Sequence, residues 1–141
     1  MTWTQRPTKS LAQGGTGAWL LVTALCFMSM SAHACSCTRP DRASSFVTAD
    51  EVVGGEIVRI TQSDGQIHNV LQVGKRWKGG SAAELLLRSD GPCGFQFESG
   101  EAYLVFARLI ANDIFYVSQC SGTQRFGQSP ALLRQLEQRE P

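Results

Sequence analysis

Short apolar runs separated by turn residues dominate the chain from residue 51 onward and predict β-strands. Five strands are expected, at residues 51–60, 67–77, 84–88, 102–107 and 114–118. The second run alternates well between its two faces, as a half-buried strand does. The fourth run is the most apolar and is expected to be central. The Gly54-Gly55 pair inside the first strand predicts a bulge or a sharp coil.

Two short helices are expected on either side of these strands. One is a helical turn at 43–47. The other begins at Pro130 and places Leu132, Leu133 and Leu136 on one face. Five short strands with little helix and regularly spaced turns are typical of a mainly β fold, and we predict a closed, antiparallel, five-stranded barrel. A β-sandwich is the alternative, but five strands are few for it.

Residues 1–34 have the pattern of a signal peptide. Arg6 and Lys9 supply positive charge ahead of an apolar run at 18–28. That run is shorter than the ~20 apolar residues that a membrane-spanning helix needs. Ala32-His33-Ala34 then has the small-x-small pattern that signal peptidase recognises. The sequence therefore predicts cleavage after this tripeptide.

The predicted cut makes Cys35 the first residue of a single domain at 35–141. Export implies a secreted, extracellular or periplasmic location. Lipoprotein processing, with an anchor at Cys35, is the minority alternative because Ala32 and His33 match its recognition pattern poorly. No segment after the signal peptide is expected to span a membrane.

Charge and composition argue against nucleic-acid binding and against catalysis. The whole chain has a formal net charge of +1, whereas nucleic-acid partners demand a clear basic excess. Lys75, Arg76 and Lys78 cluster locally, and we interpret them as a solvated hairpin face. His68 is the only histidine after the predicted cut and is expected to be exposed. Since no serine has a nucleophile-elbow context either, no enzyme activity is predicted.

Four cysteines remain after the predicted cut: Cys35, Cys37, Cys93 and Cys120. An even number in an exported chain indicates disulfides, and four cysteines allow three pairings. A Cys35–Cys37 bridge would close a strained ring, so either remaining arrangement would tie the N-terminus to two distant points. Zinc or copper binding by the four thiols is the alternative. An oxidising location and the wide spacing of Cys93 and Cys120 favour bridges.

Several motifs in this region are similar to those of one known family. They are Cys35-Ser36-Cys37, Ala49-Asp50-Glu51-Val52-Val53-Gly54-Gly55, Trp77-Lys78-Gly79, Cys93-Gly94-Phe95, Tyr103-Leu104-Val105-Phe106-Ala107 and the Cys120 that follows the last strand. From Cys35 to Thr123 the chain resembles the tissue inhibitors of metalloproteinases and the wider netrin-like group, most of all their short bacterial members. It departs from the animal members, which have a third bridge in this domain and a second, C-terminal domain.

This resemblance implies a five-stranded OB-fold barrel with bridges Cys35–Cys93 and Cys37–Cys120. It also implies an inhibitor of zinc metalloproteases that binds as a monomer and needs no cofactor of its own. The free amine and carbonyl oxygen of Cys35 would chelate the target's catalytic zinc, and Ser36 would enter the first specificity pocket. The Cys93-Gly94 strand would form a second contact. A non-inhibitory netrin-like binding module is the alternative on the same fold.

Overall fold

The computed structural model describes residues 35–37 and 42–139. The predicted signal peptide and its cleavage site lie outside the described residues. The described helices are α1 (Arg42–Thr48) and α2 (Pro130–Glu137). The described strands are β1 (Glu51–Ser63), β2 (Gln66–Lys78), β3 (Glu84–Arg88), β4 (Ala102–Ala111), β5 (Ile114–Tyr116) and β6 (Gln124–Arg125). Neither of these helices has the length and apolar character needed to cross a membrane.

Five of the strands close into a ring in the order β1-β2-β3-β5-β4, because β4 pairs back onto β1. The mainly β class with two helices is thus confirmed. Four pairings of the ring are antiparallel, but β3 and β5 run parallel. The prediction of a fully antiparallel ring is therefore wrong at this pairing. The reason is parity: five strands in a closed ring cannot alternate in direction all the way round.

The short strand β6 was not predicted. Gln124 and Arg125 pair with Leu104 and Tyr103 of β4, on the edge of β4 that does not face β1. A two-residue strand of polar residues carries no alternating apolar pattern, so only its position beside β4 reveals it. It leads the chain from the ring towards α2.

Both faces of β4 are buried from residue 103 to residue 107, which explains why this stretch is almost entirely apolar. Tyr103, Val105 and Ala107 point into the ring, where they pack against Val53 and Leu71. Leu104 and Phe106 point outward into a second apolar cluster under the helices. Leu132 and Leu136 of α2 are buried in this second cluster, and Leu133 is partly buried against it. The predicted central strand and the predicted apolar face of the C-terminal helix are both confirmed.

The β1–β2 hairpin is longer than predicted and carries the expected bulge. Its register shifts between Gly54 and Gly55, where a side chain on Gly55 would overlap the backbone of Gln72. At the hairpin's tip Asp64 and Gly65 have φ angles of 51° and 75°. Two consecutive positive φ angles are typical of the two-residue turn that matches strand twist, so the ladder continues through polar residues to the turn.

The interpretation of Lys75, Arg76 and Lys78 as a solvated face is wrong for two of the three. Arg76 forms an ion pair with Glu51, whose side chain is only 6% exposed. The carboxylate of Glu51 also accepts a hydrogen bond from the Gly80 N–H at 2.7 Å. Burial lowers the pKa of the Arg76 guanidinium below its ordinary value. Arg76 is therefore a structural residue that joins β1, β2 and the loop that follows β2.

Lys78 anchors helix α1. Its ammonium donates hydrogen bonds to the carbonyl oxygens of Phe46, Val47 and Ala49, at 3.0, 3.0 and 2.6 Å. The last carbonyls of a helix have no partners within the helix, so a cation at this end both satisfies them and complements the helix dipole. Only Lys75 keeps a surface role, with its ammonium 3.6 Å from the Glu137 carboxylate.

Candidate functional site

The Cys35–Ser36–Cys37 segment is covalently attached at both of its ends. Cys35 is bridged to Cys93 and Cys37 to Cys120, with Cα–Cα distances of 5.5 and 5.2 Å. The pairing implied by the resemblance is confirmed. Both distances lie in the usual range for disulfides. The bridges link residues 58 and 83 positions apart, so each closes a long loop worth roughly 4 kcal/mol in the chain-entropy model.

The two anchor points are themselves joined by main-chain hydrogen bonds. The Gln119 N–H donates to the Cys93 carbonyl at 2.9 Å, and the Phe95 N–H donates to the Val117 carbonyl at 3.0 Å. Between these bonds Gly94 and Ser118 form an antiparallel bridge. Cys93 therefore belongs to this small ladder, and Cys120 follows Gln119 directly. The two bridges attach the Cys35–Ser36–Cys37 segment to one hydrogen-bonded support, formed by the residues around Cys93 and Cys120.

The turn that delivers Cys93 has no space for a side chain at Gly94. A Cβ there would overlap the carbonyl oxygen of Ser89. Ser89 is buried, and its hydroxyl accepts a hydrogen bond from the Asn69 side chain at 2.9 Å. Tyr116 donates its phenolic hydrogen to the Asp90 carbonyl at 3.2 Å. Packing against Ser89 therefore requires a glycine after Cys93, and this requirement is visible only in the folded structure.

The loop that delivers Cys120 is held by hydroxyl groups. The Cys120 N–H donates to the Ser118 hydroxyl at 3.1 Å, and the Ser121 hydroxyl donates to the Ser118 carbonyl at 2.8 Å. Thr123 is buried and accepts a hydrogen bond from the Phe106 N–H of β4 at 3.0 Å. Sequence reasoning missed Ser118, Ser121 and Thr123. Their only signal is a run of small polar residues on either side of a cysteine.

Ser36 is the residue of the segment whose side chain is not used in a bridge. Ser36 and Cys37 are exposed, whereas Cys35 is half-buried. The support therefore presents the Ser36 side chain and the adjoining backbone to solvent in a fixed place. Such an arrangement can insert a short, rigid segment into a partner's cleft, with little loss of conformational entropy on binding.

Metal binding by the cysteines does not fit this site, because all four sulfurs are in disulfides. Residues 35–37 and 42–139 also contain no group of three His, Cys, Asp or Glu side chains that could hold a metal ion. His68 is half-buried rather than exposed as predicted, and its Nε2 lies 3.2 Å from the Gln66 side-chain oxygen. It belongs to the β1–β2 hairpin.

Two clefts border the support. One, of about 280 Å³, lies beside Gly91 and Gly94 and is lined mainly by Phe95, Phe97 and residues of the β1–β2 hairpin. The other, also of about 280 Å³, lies beside Cys120 and is open between α1 and β4. Neither was predicted from the sequence, because each is formed by elements distant along the chain.

A scan of protein-family models finds no model that matches the chain, and a search of curated proteins finds no significant match.

Proposed function

We propose that this protein is an exported inhibitor of zinc metalloproteases, of the tissue-inhibitor and netrin-like kind. In this proposal signal peptidase cuts after Ala34, so that Cys35 becomes the first residue. The ring order β1-β2-β3-β5-β4 supports the assignment of an OB-fold barrel, the fold that the resemblance implies. The two disulfides are compatible with a secreted or periplasmic location, where the compartment is oxidising.

The observation that carries the proposal is the double attachment of the Cys35–Ser36–Cys37 segment. A plain structural staple needs one bridge near a terminus. Here two bridges hold three consecutive residues on one hydrogen-bonded support. The backbone of residue 35 is therefore placed before any partner arrives, which is what a metal-chelating terminus requires.

The chemistry at Cys35 follows from its free amine. The α-amine and the carbonyl oxygen of one residue can close a five-membered chelate ring on a metal ion. The catalytic zinc of a metalloprotease has three protein ligands and an open position occupied by water. An α-amine has a pKa of about 8 and must lose its proton to bind, which the metal itself promotes. Cys35 would displace the zinc-bound water that the protease needs for hydrolysis.

Ser36 would act next to the zinc. Its exposed side chain follows Cys35 directly, so it would point into the pocket beside the metal. The Cys93–Gly94 segment, bridged to Cys35, would supply a second line of contact. Specificity would then depend on Ser36 and on the surfaces beside the support.

An inhibition assay with a panel of zinc metalloproteases tests the proposal. The inhibitor should be the processed form that begins at Cys35, and serine and cysteine proteases should serve as controls. We expect inhibition confined to zinc enzymes and lost when both disulfides are reduced. A processed, fully bridged protein that inhibits no zinc enzyme of a broad panel would overturn the proposal and leave the binding-module alternative.

A further inference from the structure

The cleft beside Cys120 combines a cation with hydroxyl groups and contains no acid. Helix α1 and the residue after it form one wall, and β4, β5 and the Cys120 loop form the other. The lining residues are Ser44, Ser45, Thr48, Ala49, Phe106, Arg108, Tyr116, Ser118, Cys120 and Ser121. Arg108 is the only charged residue among them. The lining therefore includes a positive charge and no carboxylate, and the nearby Asp50 carboxylate accepts a hydrogen bond from the Leu109 N–H at 2.8 Å.

Arg108 differs from most of the described cations in having no partner. Arg76, Arg88 and Arg125 form ion pairs, and Lys78 caps α1. Within residues 35–37 and 42–139, the exposed guanidinium of Arg108 makes no ion pair or hydrogen bond. An arginine presents a planar fork of N–H donors that matches a carboxylate. Its donors are all available to an incoming group.

The hydroxyl groups of the cleft add a second donor. The Thr48 and Ser121 hydroxyls already donate to main-chain carbonyls, at 2.9 and 2.8 Å. Ser118 accepts from the Cys120 N–H and donates to no group in the described part of the chain, so its hydroxyl hydrogen remains available. Arg108 and Ser118 thus both line the cleft with N–H or O–H donors that have no acceptor among the described residues.

From this geometry we infer that the cleft is a subsite for a carboxylate, an Asp or Glu side chain of the protein that is bound at Ser36. Two observations favour a protein side chain. The cleft, at about 280 Å³, is small, and Cys120 in its lining is bridged to Cys37, next to Ser36. A partner that covers Ser36 would extend over this cleft. The inference rests on the proposed function and assigns a specificity-determining role to Arg108.

The first test uses acetate as a carboxylate probe and needs no protease. Acetate is titrated into the isotope-labelled, processed protein while amide chemical shifts are recorded. We expect saturable shifts at Thr48, Ser118 and Ser121 that are lost in Arg108→Glu and retained in Arg134→Glu. Arg134 is an exposed arginine on α2 with no ion pair among the described residues, so it is the matched control. Shifts that are absent, or that are unchanged in Arg108→Glu, would overturn the subsite.

The second test asks whether the carboxylate comes from the protein partner. The most strongly inhibited zinc protease of the panel is assayed with the same two variants and with Arg108→Gln. We expect the inhibition constant to rise about tenfold or more for Arg108→Glu, less for Arg108→Gln, and less than twofold for Arg134→Glu. Equal effects of the two Glu variants would contradict the partner assignment. If no protease is inhibited, the proposed function fails, while the acetate titration still decides the subsite.

Discussion

At Gly94 the backbone passes so close to the preceding turn that a single added carbon would overlap it. We therefore predict that Gly94→Ala destabilises the protein by about 1–3 kcal/mol, because the turn must shift to make room. Gly74→Ala is the control, since the nearest atom to its new Cβ would be the Gly54 carbonyl oxygen at an ordinary 3.6 Å. Guanidinium unfolding with both bridges intact measures the difference. Equal losses of stability in the two variants would refute the packing argument.

A second prediction concerns the contribution of Glu51 to stability. Glu51→Gln removes the buried carboxylate that pairs with the partly buried guanidinium of Arg76, and we expect a loss of about 3 kcal/mol in the free energy of unfolding. The matched control is Glu137→Gln, which removes the exposed pair with Lys75 and should cost less than about 1 kcal/mol. Urea titration of the two variants makes the comparison. A Glu51→Gln protein as stable as the control would show that the pair does not hold β1 to β2.

The roles of Gly94, Arg76 and Lys78 could not be predicted from the sequence, because their contacts form only in the folded chain. The motif around Gly94 was visible in the sequence, but its cause was not, because Ser89 meets it only through a folded turn. Arg76 and Lys78 were misinterpreted because their partners, Glu51 and α1, lie about 25 to 32 positions away along the chain. In the sequence, a basic cluster has the same pattern whether its side chains are solvated or bound to distant acids and carbonyl groups.

At the scale of elements, helix α1 depends on a strand for its stability. It has only seven residues, fewer than an isolated helix needs in water. Lys78 at the end of β2 supplies three of the hydrogen bonds at its C-terminal end. Helix α1, which borders the Cys120 cleft, therefore owes part of its stability to this contact.

We predict that Lys78→Met releases α1 without unfolding the strands. Amide hydrogen exchange should speed up in α1, at least tenfold, while the exchange of β4 amides stays nearly unchanged. Lys75→Met is the control, because the Lys75 ammonium forms an ion pair with Glu137 of α2. Equal protection of α1 in both variants would show that Lys78 is not its anchor.

The strands themselves were mostly predictable. The apolar runs located all five ring strands, but several of their ends were wrong. Polar residues continue the ladder up to Ser63 and from Gln66, β4 continues to Ala111 instead of ending at residue 107, and β5 ends at Tyr116 instead of residue 118. Alternation stops giving a signal once both faces of a hairpin are solvated. Strand β6 was missed for the same reason, since pairing with β4 creates it.

In the molecule as a whole, the order of the strands in the ring determines which cysteines lie close enough to form the two bridges. The ring brings the residues after β3 and after β5 side by side, through the parallel β3–β5 pairing. Cys93 and Cys120 follow those two strands, so the ring places both sulfurs within reach of one short segment. Cysteine counting left two arrangements open, and the resemblance implied the one that the structure contains. A closed ring of five strands also required a parallel pair, which strand counting alone overlooked.

In the mechanism that we propose, the amine of Cys35, and not its side chain, acts on a partner's zinc. Adding one alanine before Cys35 should leave the fold and both disulfides intact, because Cys35 remains bridged to Cys93. The addition nevertheless displaces the amine and replaces it with a peptide nitrogen, which is a poor ligand. Acylation of Cys35, in the lipoprotein alternative, would block the same group. Adding one alanine after Pro141 gives a control of equal composition.

The decisive measurement compares these forms as inhibitors of one zinc metalloprotease, side by side, with disulfide mapping of each. We expect the native and C-terminally extended forms to inhibit with equal potency. We expect the form extended before Cys35 to lose inhibitory potency by at least about a hundredfold, since displacing the chelating amine removes a metal ligand. Equal potency of all three forms would contradict chelation by the terminus.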